Sequence, residues 1–168
     1  MALTKQKKKE LLAEMKKRLA GAKSIAFVNF DALTVADDKV LRRKLRAENV
    51  GYFVSKKTLA KRVIKDLNAE GNMPELPGEL AIAYSDDLIA PAREVYAFQK
   101  APRDKGTVAI VGGIFDGVFK NKEEMMSIAT IPSLQGLRGQ FVNLINSPIQ
   151  RLAVVMEEIR KSKEAQGA

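Results

Sequence analysis

LTVADDKVLRRKLRAENVGYFVSKKTLAKR, residues Leu33–Arg62, decides the fold. Thr34 precedes the apolar positions Val40, Leu41 and Leu45, and Asp37 follows it by three residues. That is a helix N-cap in a capping-box pattern with the shorter acid. The helix it opens is expected to run to about Asn49, with Val40, Leu41 and Leu45 inward. Gly51 follows, and Tyr52-Phe-Val54 reads as a short strand. Lys57–Leu67 returns to helical spacing, with Leu59, Val63 and Leu67 on one side. Thirty residues thus hold a helix, a strand and a second helix.

Working outward, Ser24–Phe30 (SIAFVNF) is apolar enough for a central strand. Thr4–Ala20 is a helix, because Leu11, Leu12, Met15 and Leu19 recur at helical spacing. Downstream, Gly71–Gly78 holds two Pro and two Gly and reads as a loop. Glu79–Tyr84 is a strand, and Leu88–Lys100 is a helix with Pro91 tolerable in its first turn. Thr107–Val111 is a strand. Gly112-Gly113 suggests a bulge or turn, with Ile114–Phe119 as a short hairpin partner. Asn121–Ala129 is a brief helix, and Ile131-Pro132 breaks the pattern. The order gives an α/β (α+β) class: a ferredoxin-like split βαββαβ domain with an antiparallel sheet, helices on one face, extra helices, and a long C-terminal helix. Two domains are expected, 1–130 and 131–168.

Composition removes several chemistries. The chain of 168 residues has no Cys, His or Trp. Thiolate chemistry, disulfides and the commonest general base and metal ligand are absent with them. The adjacent acid pairs, such as Asp37-Asp38 and Glu123-Glu124, diverge on a helix and make poor dyads or metal clamps. The expectation is therefore not an enzyme, with no cofactor, no metal and no small-molecule substrate. No apolar run reaches the about 20 residues of a membrane span. The N-terminus lacks the apolar core of a secretory signal. A cytoplasmic protein with no membrane partner is expected.

Charge then points to a partner. The net charge is +9, and residues 1–70 hold 18 Lys and Arg against 8 Asp and Glu. The remaining residues nearly balance. Concentrated positive charge is the footprint of a polyanion-binding surface. Lys39, Arg42, Arg43 and Arg46 fall together on the helix side opposite Leu41 and Leu45. Lys57, Lys61 and Lys65 repeat at four-residue spacing, with Arg62 beside them. Lys56, Lys57 and Thr58 open that helix, where free N–H groups and the dipole favour a phosphate. Lys7, Lys8 and Lys9, with Lys16, Lys17 and Arg18, make the first helix basic on its polar side. Aromatics are few, so a folded RNA recognised by shape fits better than a stacked single strand.

From Ser133 onward the chain repeats every eleven residues. LRGQFVNLINS (Leu137–Ser147) is followed by PIQRLAVVMEE (Pro148–Glu158), and a third copy beginning IRKSKEAQ turns polar. Eleven residues make three turns at about 3.67 per turn, so the apolar stripe stays on one helix face. Leu137, Phe141, Leu144, Ile145, Ile149, Leu152, Val155, Met156 and Ile159 compose it. Two like apolar patches need a cover, either the protein's own core or partners, with Pro148 a candidate kink where they meet.

The whole chain resembles the bacterial large-subunit ribosomal protein ten family. The likeness is carried by Leu33-Thr34-Val35, by Leu41-Arg42-Arg43-Lys44-Leu45-Arg46, by Lys56-Lys57-Thr58-Leu59-Ala60-Lys61-Arg62 and by Gly113-Ile114-Phe115-Asp116-Gly117. The family often has Arg-Gly where Asp31-Ala32 stands, and Asn where Lys57 stands. The resemblance implies an α/β domain on large-subunit (23S) rRNA beside ribosomal protein eleven. It also implies a C-terminal helix carrying dimers of the acidic stalk protein, which recruit translational GTPases. A free-standing RNA-binding regulatory adaptor, for example acting on its own messenger, is the alternative.

Overall fold

The computed structural model describes residues 5–67, 69–101 and 106–165. Thr4 and Gln166, within the expected first helix and tail, lie outside them. The elements in order are α1 (Lys5–Leu19), β1 (Ser24–Asp31), α2 (Val35–Ala47), β2 (Gly51–Ser55), α3 (Lys57–Asp66) and β3 (Glu79–Ser85). They continue with α4 (Ala90–Lys100), β4 (Thr107–Phe115), β5 (Val118–Asn121), α5 (Lys122–Ala129) and α6 (Leu134–Ala165). The chain divides into two units between Ile131 and Pro132.

The first unit is a five-stranded antiparallel sheet in the order β2-β3-β1-β4-β5. Its first four strands have the ferredoxin-like split arrangement: β1 lies between β3 and β4, and β2 takes the edge. Ser24–Val28 of β1 is buried on both faces, as a central strand must be. Phe27 is fully buried, and burying such a side chain contributes about 2–3 kcal/mol before ordering costs.

Both sheet faces carry helices, not one. Leu41 and Leu45 of α2 pack with Val95 and Phe98 of α4 and Met125 of α5 over Ala26, Val28, Ala81 and Ala83. Met15 and Leu19 of α1 pack with Ala60, Val63 and Ile64 of α3 over Ile25, Phe27 and Ile82. The reason is the strand chemistry: β1 and β3 are apolar at successive positions, so each face needs a cover. Val40, expected inward, is exposed, because the α2 stripe that meets the sheet is narrower than its apolar content.

Of the bulge or turn expected at Gly112-Gly113, the structure has the bulge. Here β4 runs on without a turn to Phe115, and the chain reverses at Asp116-Gly117, both with positive φ. The β1–β4 register shifts between Phe27 and Val28, leaving Val111 as an extra residue. This bulge changes the side-chain parity, so Ile110 faces the α2 side and Ile114 the α1 side. The glycines serve close approach. A Cβ on Gly113 would stand 2.5 Å from the Ile25 carbonyl oxygen and 2.6 Å from Met125 Cε.

The second unit is the single 32-residue helix α6. Pro148 lies inside it and removes the N–H that would reach the Leu144 carbonyl. Ser147 Oγ donates to that carbonyl at 3.0 Å and so replaces the missing partner.

Candidate nucleic-acid interface and docking helix

The basic residues of α2 divide by what holds them. Thr34 caps the helix: its Oγ1 accepts from the Asp37 N–H at 3.2 Å and donates to Asp37 Oδ2 at 2.6 Å. Asp38, one residue on, faces Arg42 one turn later and accepts from its Nε at 2.8 Å. The Arg42 guanidinium then lies 5.0 Å from the centre of the Tyr52 ring. Burial, with the Asp38 carboxylate adding and Arg42 opposing, pushes the Tyr52 phenol up to about 12. Tyr52 is half-buried beneath Arg42 and packs against the α2-side core. Arg42 is thus bound into the fold. Lys39, Arg43 and Arg46 are exposed and make no ion pair among the described residues.

The α3 end is arranged differently. Its N-cap is Lys56, whose side chain donates only and caps nothing. Ser55 Oγ turns away to Met15 Sδ at 3.6 Å. The first-turn N–H groups therefore have no side-chain acceptor, and Lys56, Lys57 and Thr58 line a cavity with Val54, Ser55, Gly78, Leu80 and Glu79, whose carboxylate is the one opposing charge. An anion there would meet amide donors, the positive dipole end and two ammonium groups.

Lys61 and Arg62 lie exposed on the next turn of α3. Arg62 lines a groove between α1 and α3 together with Lys9, Lys16 and Lys65. Lys16 is paired to Asp66 at 2.5 Å across it. Lys9, Lys16 and Lys65 belong to the basic helix faces legible in the sequence. The seven-residue spacing of Lys9 and Lys16 puts them on one helix face, which is the signal that finds them. Lys7 and Lys8 are exposed on α1 but do not line this groove.

The two basic helices read as flanking β2 sit on opposite faces of the sheet, α2 on one and α3 on the other. They approach a common ligand only around the β2 edge. Basic residues near in sequence therefore form two surfaces, one on α2 and one on α1 and α3.

On α6 all nine stripe residues from Leu137 to Ile159 are exposed, with Leu144 at 70% and Ile149 at 69%. At about 100° per residue they fall within an arc of roughly 140°. Val142 is exposed beside the stripe and Val154 away from it.

The family model for ribosomal protein L10 matches residues 3–100. A relative from Shouchella clausii (strain KSM-K16), named large ribosomal subunit protein uL10, is 31% identical over 169 residues, covering all of both chains. The chain belongs to the ribosomal protein L10 family.

Proposed function

We propose that this protein is a structural constituent of the large ribosomal subunit, with no catalytic role, and that it works in the cytoplasm on the ribosome. Its first unit binds large-subunit rRNA. Its second unit, α6, docks dimers of the acidic stalk protein and so supports recruitment of translational GTPases. Ribosomal protein eleven is the expected neighbour at the rRNA site.

The observation that carries this reading is α6. A 32-residue helix spans about 48 Å. It bears an apolar stripe with every one of nine positions exposed. Large exposed apolar patches mark interaction sites. Each eleven-residue copy covers about 16 Å, a suitable length for one helical dimer, and the two apolar copies give two dimers. For RNA, the support is the free cations Lys39, Arg43 and Arg46 on α2, and Lys56, Lys57, Lys61 and Arg62 around the uncapped start of α3. Phosphate contacts of this kind position a protein on a folded RNA.

Co-sedimentation with large ribosomal subunits, followed by the mass of the complex with the acidic stalk protein, tests both halves. Co-sedimentation and a mass equal to one chain plus two dimers are expected. Absence from salt-washed subunits with binding to a messenger instead would replace the ribosomal reading by the regulatory one.

A further inference from the structure

We propose that the open edge of β2 docks an extended acidic segment of a protein partner, which adds to the sheet as a further strand. The two sheet edges are treated differently. At the β5 edge, Glu70 bridges to Val118. The Glu70 N–H donates to the Gly117 carbonyl at 2.9 Å, and the Phe119 N–H donates to the Glu70 carbonyl at 2.8 Å. At the other end, β2 pairs only with β3. Among the described residues nothing pairs with its outer side.

Edge strands in native proteins are protected by charges, proline or bulges. β2 is Gly-Tyr-Phe-Val-Ser, with no charge and no proline, and its register with β3 is unbroken. Val54 is 51% exposed in it. Beside it, between α1 and β2, is a cavity of about 360 Å³ lined by Leu11, Met15, Phe53 and Leu59, with Lys56 and the Arg18–Glu14 ion pair among its further lining residues. An added strand presents alternate side chains to each face, and an apolar one of valine or leucine size fits this cavity. Main-chain hydrogen bonds supply affinity in such additions and pockets for alternate side chains supply selectivity.

Charge selects the occupant. Lys56 and Lys57 stand at the end of the edge with no ion pair among the described residues. A second copy of this chain would bring the same lysines, on molecules of net charge +9, to one seam. An acidic segment meets them favourably. Single-stranded RNA is disfavoured for a separate reason. Stacking needs free aromatic faces, and the two rings of this strand each have a guanidinium over them, Arg42 over Tyr52 and Arg18 over Phe53.

The probe is a synthetic peptide alternating glutamate with valine and leucine, set against the same peptide with lysine for glutamate, titrated into the full chain. The glutamate peptide is expected to bind about tenfold tighter and to shift the amide resonances of Gly51–Ser55. Leu11→Glu, at an exposed position outside the RNA surfaces, is expected to abolish those shifts while rRNA binding persists. Equal binding of the two peptides overturns the proposal, as do shifts confined to the outer faces of α1 and α3. Displacement of the peptide by an rRNA fragment that itself shifts the amides of Gly51–Phe53, beyond the cavity at the start of α3, also overturns it, since the edge would then be an RNA contact. Loss of ribosome association alone bears on the proposed function and leaves this test unaffected.

Discussion

The Arg42 guanidinium sits 5.0 Å above the Tyr52 ring while its Nε binds Asp38 at 2.8 Å. One residue of the helix thus ties its own first turn to the edge strand that follows it. Arg43, its neighbour, is exposed and has no such tie. Two adjacent arginines therefore have separable roles.

Arg42→Ala should lower stability by about 1 kcal/mol, combining a cation–π contact with a half-exposed ion pair. Arg43→Ala should stay within about 0.5 kcal/mol of the parent. Urea midpoints of the two variants check this, and equal midpoints would show that the Arg42 contacts contribute nothing.

Tyr52 makes the upper pH limit measurable. Its folded pKa, about 12, lies above its ordinary value of 10.0. Between those values the folded state holds a proton that the unfolded state has released. Stability from this group is intact below pH 10 and is lost as pH rises toward 12. The parent should lose more stability between pH 9 and 11 than Tyr52→Phe, which cannot titrate. Unfolding curves at both pH values should differ in that direction.

Arg43, Lys57, Lys61 and Arg62 are among the cations left free for RNA. Each changed singly to Ala should lower the slope of log affinity against log salt by about one if it contacts a phosphate. Titrations of an rRNA fragment at four or more salt concentrations give the slope. An unchanged slope assigns that residue to the solvated surface.

Leu152→Asp, in the second copy of the stripe, should remove one of two stalk-protein dimers. A charge at an apolar docking position costs several kcal/mol when left unpaired. Native mass measurement should show one dimer in place of two, with rRNA binding unchanged. Loss of rRNA binding as well would contradict the separation of roles between the two units.

Two glycines should respond oppositely to alanine. Gly113→Ala drives a Cβ against the Ile25 carbonyl and Met125 and should cost about 1–3 kcal/mol. Gly139→Ala meets nothing within 4 Å and should stabilise α6 by up to about 1 kcal/mol through helix propensity. Thermal melts for the first and helical circular dichroism for the second report each effect.

Local patterns were enough to place nearly every element. Thr34 with Asp37 marked the start of α2, and the eleven-residue repeat marked α6, because capping and helical periodicity act over a few residues. The family likeness was likewise legible in Leu33–Arg62. Gly112-Gly113 leaves bulge and turn equally open in the sequence for a long-range reason: the Ile25 carbonyl and Met125 lie far off along the chain, and only the fold brings them against that backbone.

The sequence by itself determined the charge, the strand and helix order, and the apolar stripe of α6. Each follows from residue chemistry and short-range spacing. Tertiary structure alone decided that α2 and α3 lie on opposite sheet faces, so that one run of basic residues becomes two surfaces. It also decided that Arg42 is held by Asp38 and Tyr52 while Arg43 stays free, and that β2 is an open edge while Glu70 closes β5. The physical reason is common to all three. Burying both faces of an apolar sheet fixes which side chains meet, and those meetings join residues whose separation along the chain carries no local signal.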